Sequence, residues 1–371
     1  MKLQILIPQY RETDDVIRPL LDSIAIQQNV DFSELGVIIY NDGTNVHLSK
    51  ALMDSYKFHI EYWRGEHKGV SGTRNALMDL ATADYIMFCD ADDMFLSVCG
   101  LYLLMRYIDE GFDVFYSAFF EETRDMATGE PLYITRDNDA TFVHGKAYRR
   151  EYLIEKGLRW NEDLTVHEDS YFNGSCINTS ENMRYCEDAF YLWKWRDESV
   201  CRNDEEYRFA TYTDLIASYD ALVGELITRG FRKQAVYYVC YAVFETYYTM
   251  NKPEWQNVYR EKTEKRFGQF FTKWKDLWES ATDRDKLNIS ETIRSKHIKE
   301  GMGMETFTLS EWLEKGENHG KQKSQREKTA GEGRSDAGTA RTGRSGAPDE
   351  STADRVCRRT RHQSRQDSQE G

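Results

Sequence analysis

The sequence predicts an α/β fold, a mostly parallel central sheet flanked by helices, followed by a helical region and a low-complexity tail. Three observations predict it. Short apolar runs alternate with amphipathic stretches up to about residue 110. Three of those runs stop abruptly at polar clusters. After about Gly316 almost nothing apolar remains, and Gly, Ser, Thr, Arg and Gln dominate.

Leu3 to Ile7 reads as a fully buried strand. Asp14 to Gln27 spaces Val16, Ile17, Leu20, Leu21 and Ile24 along one helix face. Val37 to Tyr40 is a second strand, ended by Asn41-Asp42-Gly43-Thr44. A helix is expected over Val46 to Tyr56, a third strand over His59 to Trp63 and a helix over Gly72 to Leu80. Tyr85 to Cys89 is the fourth strand. A helix over 98–110 and a strand over Val114 to Phe120 follow. Tyr133-Ile134 and Thr141-Phe142-Val143 read as short strands, and Lys146 to Lys156 and Ser170 to Cys176 as helices. From about Glu205 to Leu313 the pattern is helical and aromatic. Alternation at this spacing implies right-handed βαβ units, whose ligands sit beyond the carboxyl ends of the strands. The clusters Pro8 to Glu12, Asn41 to Gly43 and Asp90 to Asp93 should therefore meet on one rim. The expected domains are 1–204, a helical region 205–316 and a disordered tail 317–371, too polar to offset its ordering entropy.

The 371 residues carry a net charge of −14. From Lys321 onward 12 Lys+Arg face 8 Asp+Glu, a local +4, so the remainder carries −18. That balance argues against nucleic acid or an anionic membrane as the main partner, while the basic tail keeps an anionic partner open there. Seven Cys without CxxC pairs or zinc spacing suit reduced thiols in a cytoplasmic compartment. No run is long enough to cross a membrane. Docking at the inner membrane face stays open, mildly opposed by the acidic charge.

Asp90-Ala91-Asp92-Asp93 closes an apolar strand with three carboxylates. Such neighbours repel unless a cation neutralises them, and Mg²⁺ or Mn²⁺ would suit, shared with a phosphate. Alone, the run reads equally well as a solvated acidic turn.

Six segments in order give the context. They are Leu3 to Tyr10, Ile38 to Thr44, Gly69 to Ala76, Asp90 to Asp93, Gly145 to Arg150, and Trp160 to Leu164 with His167-Glu168-Asp169. Together they resemble family 2 glycosyltransferases with the GT-A nucleotide-sugar-binding fold, over residues 1–200. Asn41 and Thr73 depart from the family's Asp and Ala. The resemblance implies an inverting transfer from a UDP-sugar donor to a hydroxyl of a glycan or other acceptor, with Mg or Mn on the diphosphate. Pro8 and Tyr10 would line the base pocket, Glu12 would help hold ribose, and Asp42 would accept from the base imide. Asp42 also reads as a turn residue before Gly43. Arg74 would meet base carbonyls or phosphate, or simply pair on the surface. Asp90 would meet ribose or a metal-bound water, Asp92 would ligate the metal, and Asp93 would ligate or brace it. Asp169 would be the general base, with Glu168 as the second candidate for that role and as the residue that orients the loop, although an acidic pair at a helix start has its own electrostatic reason.

Several features stay open. His144 and His167 are competent for metal or phosphate but equally structural. Trp193 and Trp195 suit an acceptor sugar or the core, and Arg196 an anionic acceptor or the diphosphate. The stripe Tyr237, Tyr238, Tyr241, Phe244, Tyr247 and Tyr248 suits sugar stacking, but packing between helices is the simpler reading. Rival functions are a metal-dependent nucleotidyltransferase or phosphatase, and a non-catalytic glycan- or partner-binding module with a degenerate donor site. The sugar transferred and the acceptor (polysaccharide, teichoic acid-like polymer, protein or modified nucleic acid) are not legible.

Overall fold

The computed structural model describes residues 1–125, 127–196, 205–252, 259–303, 305 and 307–318. The expected tail lies almost entirely outside the described residues.

Nine strands form one sheet: β1 (Leu3–Gln9), β2 (Leu35–Asn41), β3 (His59–Arg64), β4 (Tyr85–Phe88), β5 (Met94–Phe95), β6 (Val114–Arg124), β7 (Pro131–Arg136), β8 (Lys146–Arg149) and β9 (Met183–Trp193). Their order is β3-β2-β1-β4-β8-β6-β9-β5, with β7 on β6. The half containing β3, β2, β1 and β4 is parallel throughout. Beyond β4 the sheet is mixed: β8 runs antiparallel to both β4 and β6, and β6 pairs parallel with β9.

Helices cover both faces. α1 (Asp14–Ala25) and α4 (Gly100–Ile108) pack with Leu3, Ile5 and Ile7 on one side. On the other, Leu6 of β1 joins Leu77 of α3 (Gly69–Leu80), Tyr152 of α5 (Arg150–Glu155) and Phe172 of α6 (Glu168–Thr179). A central strand buried on both faces is apolar on both, which is why Leu3 and Ile5 to Ile7 run without alternation, and the buried Gln4 is satisfied by the Thr82 and Ala83 amides. The helical region, α7 (Glu205–Thr228), α8 (Arg232–Met250), α9 (Tyr259–Ser280) and α10 (Asp283–Lys299), has a core of its own around Val243, Phe267, Phe270 and Trp312. Both parts lie within one compact unit.

Three expectations change, and one strand is new. The helix expected over Val46 to Tyr56 is a single turn, α2 (Lys50–Met53), capped by Ser49 Oγ on Leu52 N at 3.1 Å. Thr141 to Val143 is a bend, because Asp139 Oδ1 accepts from Thr141 N and Phe142 N. Residues 146–149 form β8, and only 150–155 are helical, since pairing on two sides outweighs helical propensity. β9 was not foreseen: Glu187 and Asp188 interrupt its apolar pattern.

Candidate active site

Side-by-side pairing brings the carboxyl ends of β1, β2 and β4 onto one rim, with Gln9 level with Asn41 and Leu6 level with Phe88. The three polar clusters therefore share that rim.

On the β1–β2 side, Tyr10 stacks on His67 with centroids 5.0 Å apart, and the Arg11 guanidinium lies 4.7 Å from its ring centre. Pro8 is partly exposed beside it. Glu12 Oε2 accepts from Tyr10 N at 2.7 Å and Arg11 N at 3.2 Å, so the loop closes on its own carboxylate. Asp42 is buried, and its oxygens meet His67 Nδ1 at 2.7 Å, Lys68 N at 2.7 Å and Gly69 N at 3.0 Å. It thus satisfies amides that open α3, which is its structural reading made visible.

The acidic run divides into three environments. Asp90 Oδ1 accepts from Arg74 Nη2 at 3.1 Å. Asp92, similarly exposed, pairs with Arg196 Nη1 at 3.0 Å, and that guanidinium also lies 3.6 Å from Glu12. Asp93 is buried, accepting from Tyr191 Oη at 2.8 Å and Lys194 N at 2.9 Å. Burial holds its carboxyl well above the usual range, and Asp92 and Asp90 add to the rise. The ligating atoms of Asp90, Asp93 and His144 lie within 4.8 Å of one another. His144 itself packs among Tyr191, Trp193 and Phe142. Two carboxylates and an imidazole this close suit a divalent cation, with the partly exposed Asp92 between the two carboxylates in sequence.

Across the cleft, α6 begins at His167, whose φ of +60° is a conformation that non-glycine residues rarely adopt. That turn delivers Glu168 and Asp169 to the first helical positions. Glu168 Oε1 accepts from Arg74 Nη1 at 2.9 Å, so one buried guanidinium links the acidic run to the α6 pair. Arg74 also lies 4.5 Å from the ring centre of Trp160. Burial works against its charge, but Asp90, Glu168 and Asp169 more than offset that and raise its pKa. Asp169 is pushed up to about 8, first by burial and then by Glu168, with Arg74 opposing. His167 is pushed down to about 4 by burial and is neutral at physiological pH. Lys146, fully buried on β8, is lowered to about 8 by burial. Its Nζ donates to Asp139 O at 2.8 Å and also to Phe142 O, tying down the loop beside the site.

The predicted residues of the strand ends lie on this rim, Glu168 and Asp169 lie on the α6 turn, and Arg74 reaches from α3 to both. Sequence reasoning did not anticipate His67 under Tyr10, or Tyr191 holding Asp93. Tyr191 belongs to the unforeseen β9, and only pairing with β5 and β6 brings it to the acidic run. A separate cavity of about 300 Å³, lined by Met78, Arg150, Leu153 and Arg159, contains none of these residues.

Residues 4–162 match the model of glycosyl transferase family 2. Over 218 residues the chain is 24% identical to EpsJ, an uncharacterized glycosyltransferase of Bacillus subtilis, covering 53% of this chain and 62% of that one. Over 224 residues it is 24% identical to YibD, an uncharacterized glycosyltransferase of Escherichia coli, covering 54% and 63%. It therefore spans about three fifths of the length of these relatives. The crystal structure of S. aureus TarS 1–349 aligns with a TM-score of 0.55 at 15% identity, covering 81% of this chain and 92% of that one. The same TarS fragment in complex with UDP aligns at 0.54. With the mixed sheet and the acidic run at the end of β4, the fold is GT-A, and residues 4–162 are similar to glycosyl transferase family 2.

Proposed function

We propose that this chain is an inverting glycosyltransferase that moves a sugar from a UDP-sugar to an acceptor hydroxyl, with Asp169 as general base. The observation that carries this reading is the single buried Arg74 joining Asp90 at 3.1 Å and Glu168 at 2.9 Å, which ties donor-side and acceptor-side acids into one site. The UDP complex of TarS, a protein of the same fold, supports a uridine donor. In this reading Tyr10 would give the base its π face beside Pro8, and Glu12 would help hold ribose.

The acceptor hydroxyl gives its proton to Asp169 as its oxygen bonds to the anomeric carbon. The bond from that carbon to the diphosphate breaks on the opposite side, and UDP leaves, so the centre inverts. A carboxyl raised to about 8 is matched to receiving a proton near neutral pH. Glu168 braces Arg74, whose fixed charge holds Asp90 in place. Asp90, Asp92 and Asp93, with His144 beside them, are the groups that would hold Mg²⁺ or Mn²⁺. Bound there, the cation would stabilise charge developing on the diphosphate. Arg196, paired with Asp92 and beside Glu12, would add its positive charge there.

Among the described residues the cysteines are free, which suits a cytoplasmic compartment, and no helix is long and apolar enough to cross a membrane. The division at about residues 204 and 316 is retained as part of the proposal, with 1–204 carrying donor and base. The family match favours neither a nucleotidyltransferase nor a binding module.

The test is product analysis with Asp169→Asn. The variant should bind UDP with Mn²⁺ like the parent but lose transfer by on the order of a thousandfold. Undiminished transfer would remove Asp169 from the role of base.

A further inference from the structure

The segment Gly145 to Arg150 carries part of the sequence resemblance, yet Arg150 stands away from the catalytic rim. Its backbone N donates to Asp84 O at 2.8 Å. Asp84 precedes β4 and Asp90 follows it, so Arg150 lies at the end of the strand opposite the acidic run. There it lines the cavity of about 300 Å³ formed by α3, β4, α5 and the turn at Gly157. Ile86, Leu153 and Leu158 wall that cavity and are buried, Met78 is partly buried, and Ile154 is largely exposed. The turn is fixed from outside: Arg229, just after α7, donates through Nη2 to Gly157 O at 3.2 Å and through Nη1 to Lys156 O. The cavity is therefore built into the fold.

Its charged groups are unevenly matched. Arg159 is committed: Nη1 and Nη2 meet the two oxygens of Asp79 at 2.5 and 2.9 Å, and Nη2 also donates to Asn75 O at 3.3 Å. Arg150 is not. Its guanidinium makes no hydrogen bond or ion pair with any described residue, and its Nε is buried. The lining thus sets two arginines against the single carboxylate of Asp79, which Arg159 already occupies. Nearby cations outside the lining have partners of their own, Arg149 with Asp113 and Glu151, and Arg229 with Glu225. Asp84, Glu155 and Lys156 are exposed and do not line the cavity. A charged donor taken out of water without an acceptor is unfavourable, and a bound anion would relieve it.

We propose that this cavity binds a small organic oxyanion, a carboxylate or phosphate monoester on an apolar body, with the Arg150 guanidinium holding its head group. A guanidinium presents a planar fork of donors that matches either head. The apolar walls take the body, and burying that body is what separates such a ligand from inorganic phosphate. The volume equals the liquid share of about ten water molecules. A short chain or a single ring fits that space, whereas a membrane lipid or a nucleoside diphosphate is too large. The site therefore differs from the donor site in position and in size, and its occupancy does not depend on whether the chain transfers a sugar.

The experiment is calorimetry on the full chain with octanoate, hexyl phosphate, inorganic phosphate, octylammonium and 1-octanol. One of the two amphipathic anions, or both, should bind once per chain, and the tighter of them identifies the head group. Inorganic phosphate and 1-octanol should each bind at least about tenfold more weakly, because one lacks the body and the other the charge, and octylammonium should not bind. Arg150→Gln should weaken the anion about tenfold or more, and Arg150→Lys, which keeps the charge without the fork, should recover part of the loss. UDP with Mn²⁺ should change the anion's Kd less than about twofold, since the two sites lie at opposite ends of β4. The urea midpoint of Arg150→Gln should be no lower than the parent's, because no described partner is lost. The assignment is overturned if neither anion binds, if octylammonium or 1-octanol binds as well as octanoate, if UDP displaces the anion, or if Arg150→Gln binds it unchanged. A lower urea midpoint in Arg150→Gln would mark the arginine as structural and also overturn it. The comparison of octanoate with octylammonium uses the parent alone, so it decides the matter even where a variant does not fold.

Discussion

Asp169 sits where burial and Glu168 both disfavour its charge, while Arg74 and the Ser170 amide oppose them. The sign of the pH dependence follows. A base must be deprotonated to act, so kcat/KM should rise with pH through about 8, the value at which Asp169 loses its proton. A UDP-release profile between pH 6 and 9.5 checks this, and an acid limb well below pH 6 would point to another group. Asp92 is the other residue whose role is open to direct measurement. If it contributes to the cation site, Asp92→Ala should weaken UDP binding in Mn²⁺ about tenfold or more by calorimetry. If its only work is the pair with Arg196 at 3.0 Å, affinity should barely change. His167 adds a conformational constraint. Its left-handed backbone turns the chain into α6, so the two carboxyl groups are placed by strain that the surrounding packing must hold.

At the scale of elements, the joint between α6 and α7 deserves the closest test, because it connects the sheet domain to the aromatic helices. Gly174 permits the contact: a Cβ there would lie 2.6 Å from Leu222 Cδ2, and Leu222 is itself buried. Gly174→Val should therefore destabilise the protein by about 1–3 kcal/mol, seen as a lower midpoint in urea unfolding. β8 gives a second lesson. Its sequence has helical propensity, yet it becomes an interior strand because β4 and β6 each offer it a ladder. Gly145 makes the entry possible, with φ of +66° and no room for a Cβ beside Ser117 Oγ.

At the scale of the whole molecule, donor and cation should bind the folded protein together or not at all. UDP with Mn²⁺ at about a hundredfold over Kd should stabilise the fold by about 2.7 kcal/mol, and EDTA should abolish most of that gain. Thermal unfolding by calorimetry measures it, and equal stabilisation by UDP in EDTA would remove the cation from donor binding.

The amino-acid order by itself determined the β1 to β4 framework, because the interior strands β1, β2 and β4 are covered on both faces and so are largely apolar up to their polar ends, while β3 is a half-exposed edge. It also determined which acids stand at those ends, since Asp90 to Asp93 follow β4 directly. Tertiary structure alone decided the rest. β9 carries Tyr191 to Asp93 across about a hundred residues of chain, and no local pattern encodes a pairing partner. The same holds for Arg74, which reaches both Asp90 and Glu168, and for the tyrosines of α8, whose division into core and surface depends on which neighbours cover each turn. Local periodicity reflects burial averaged over one element, whereas a site is assembled from contacts between elements distant in the chain.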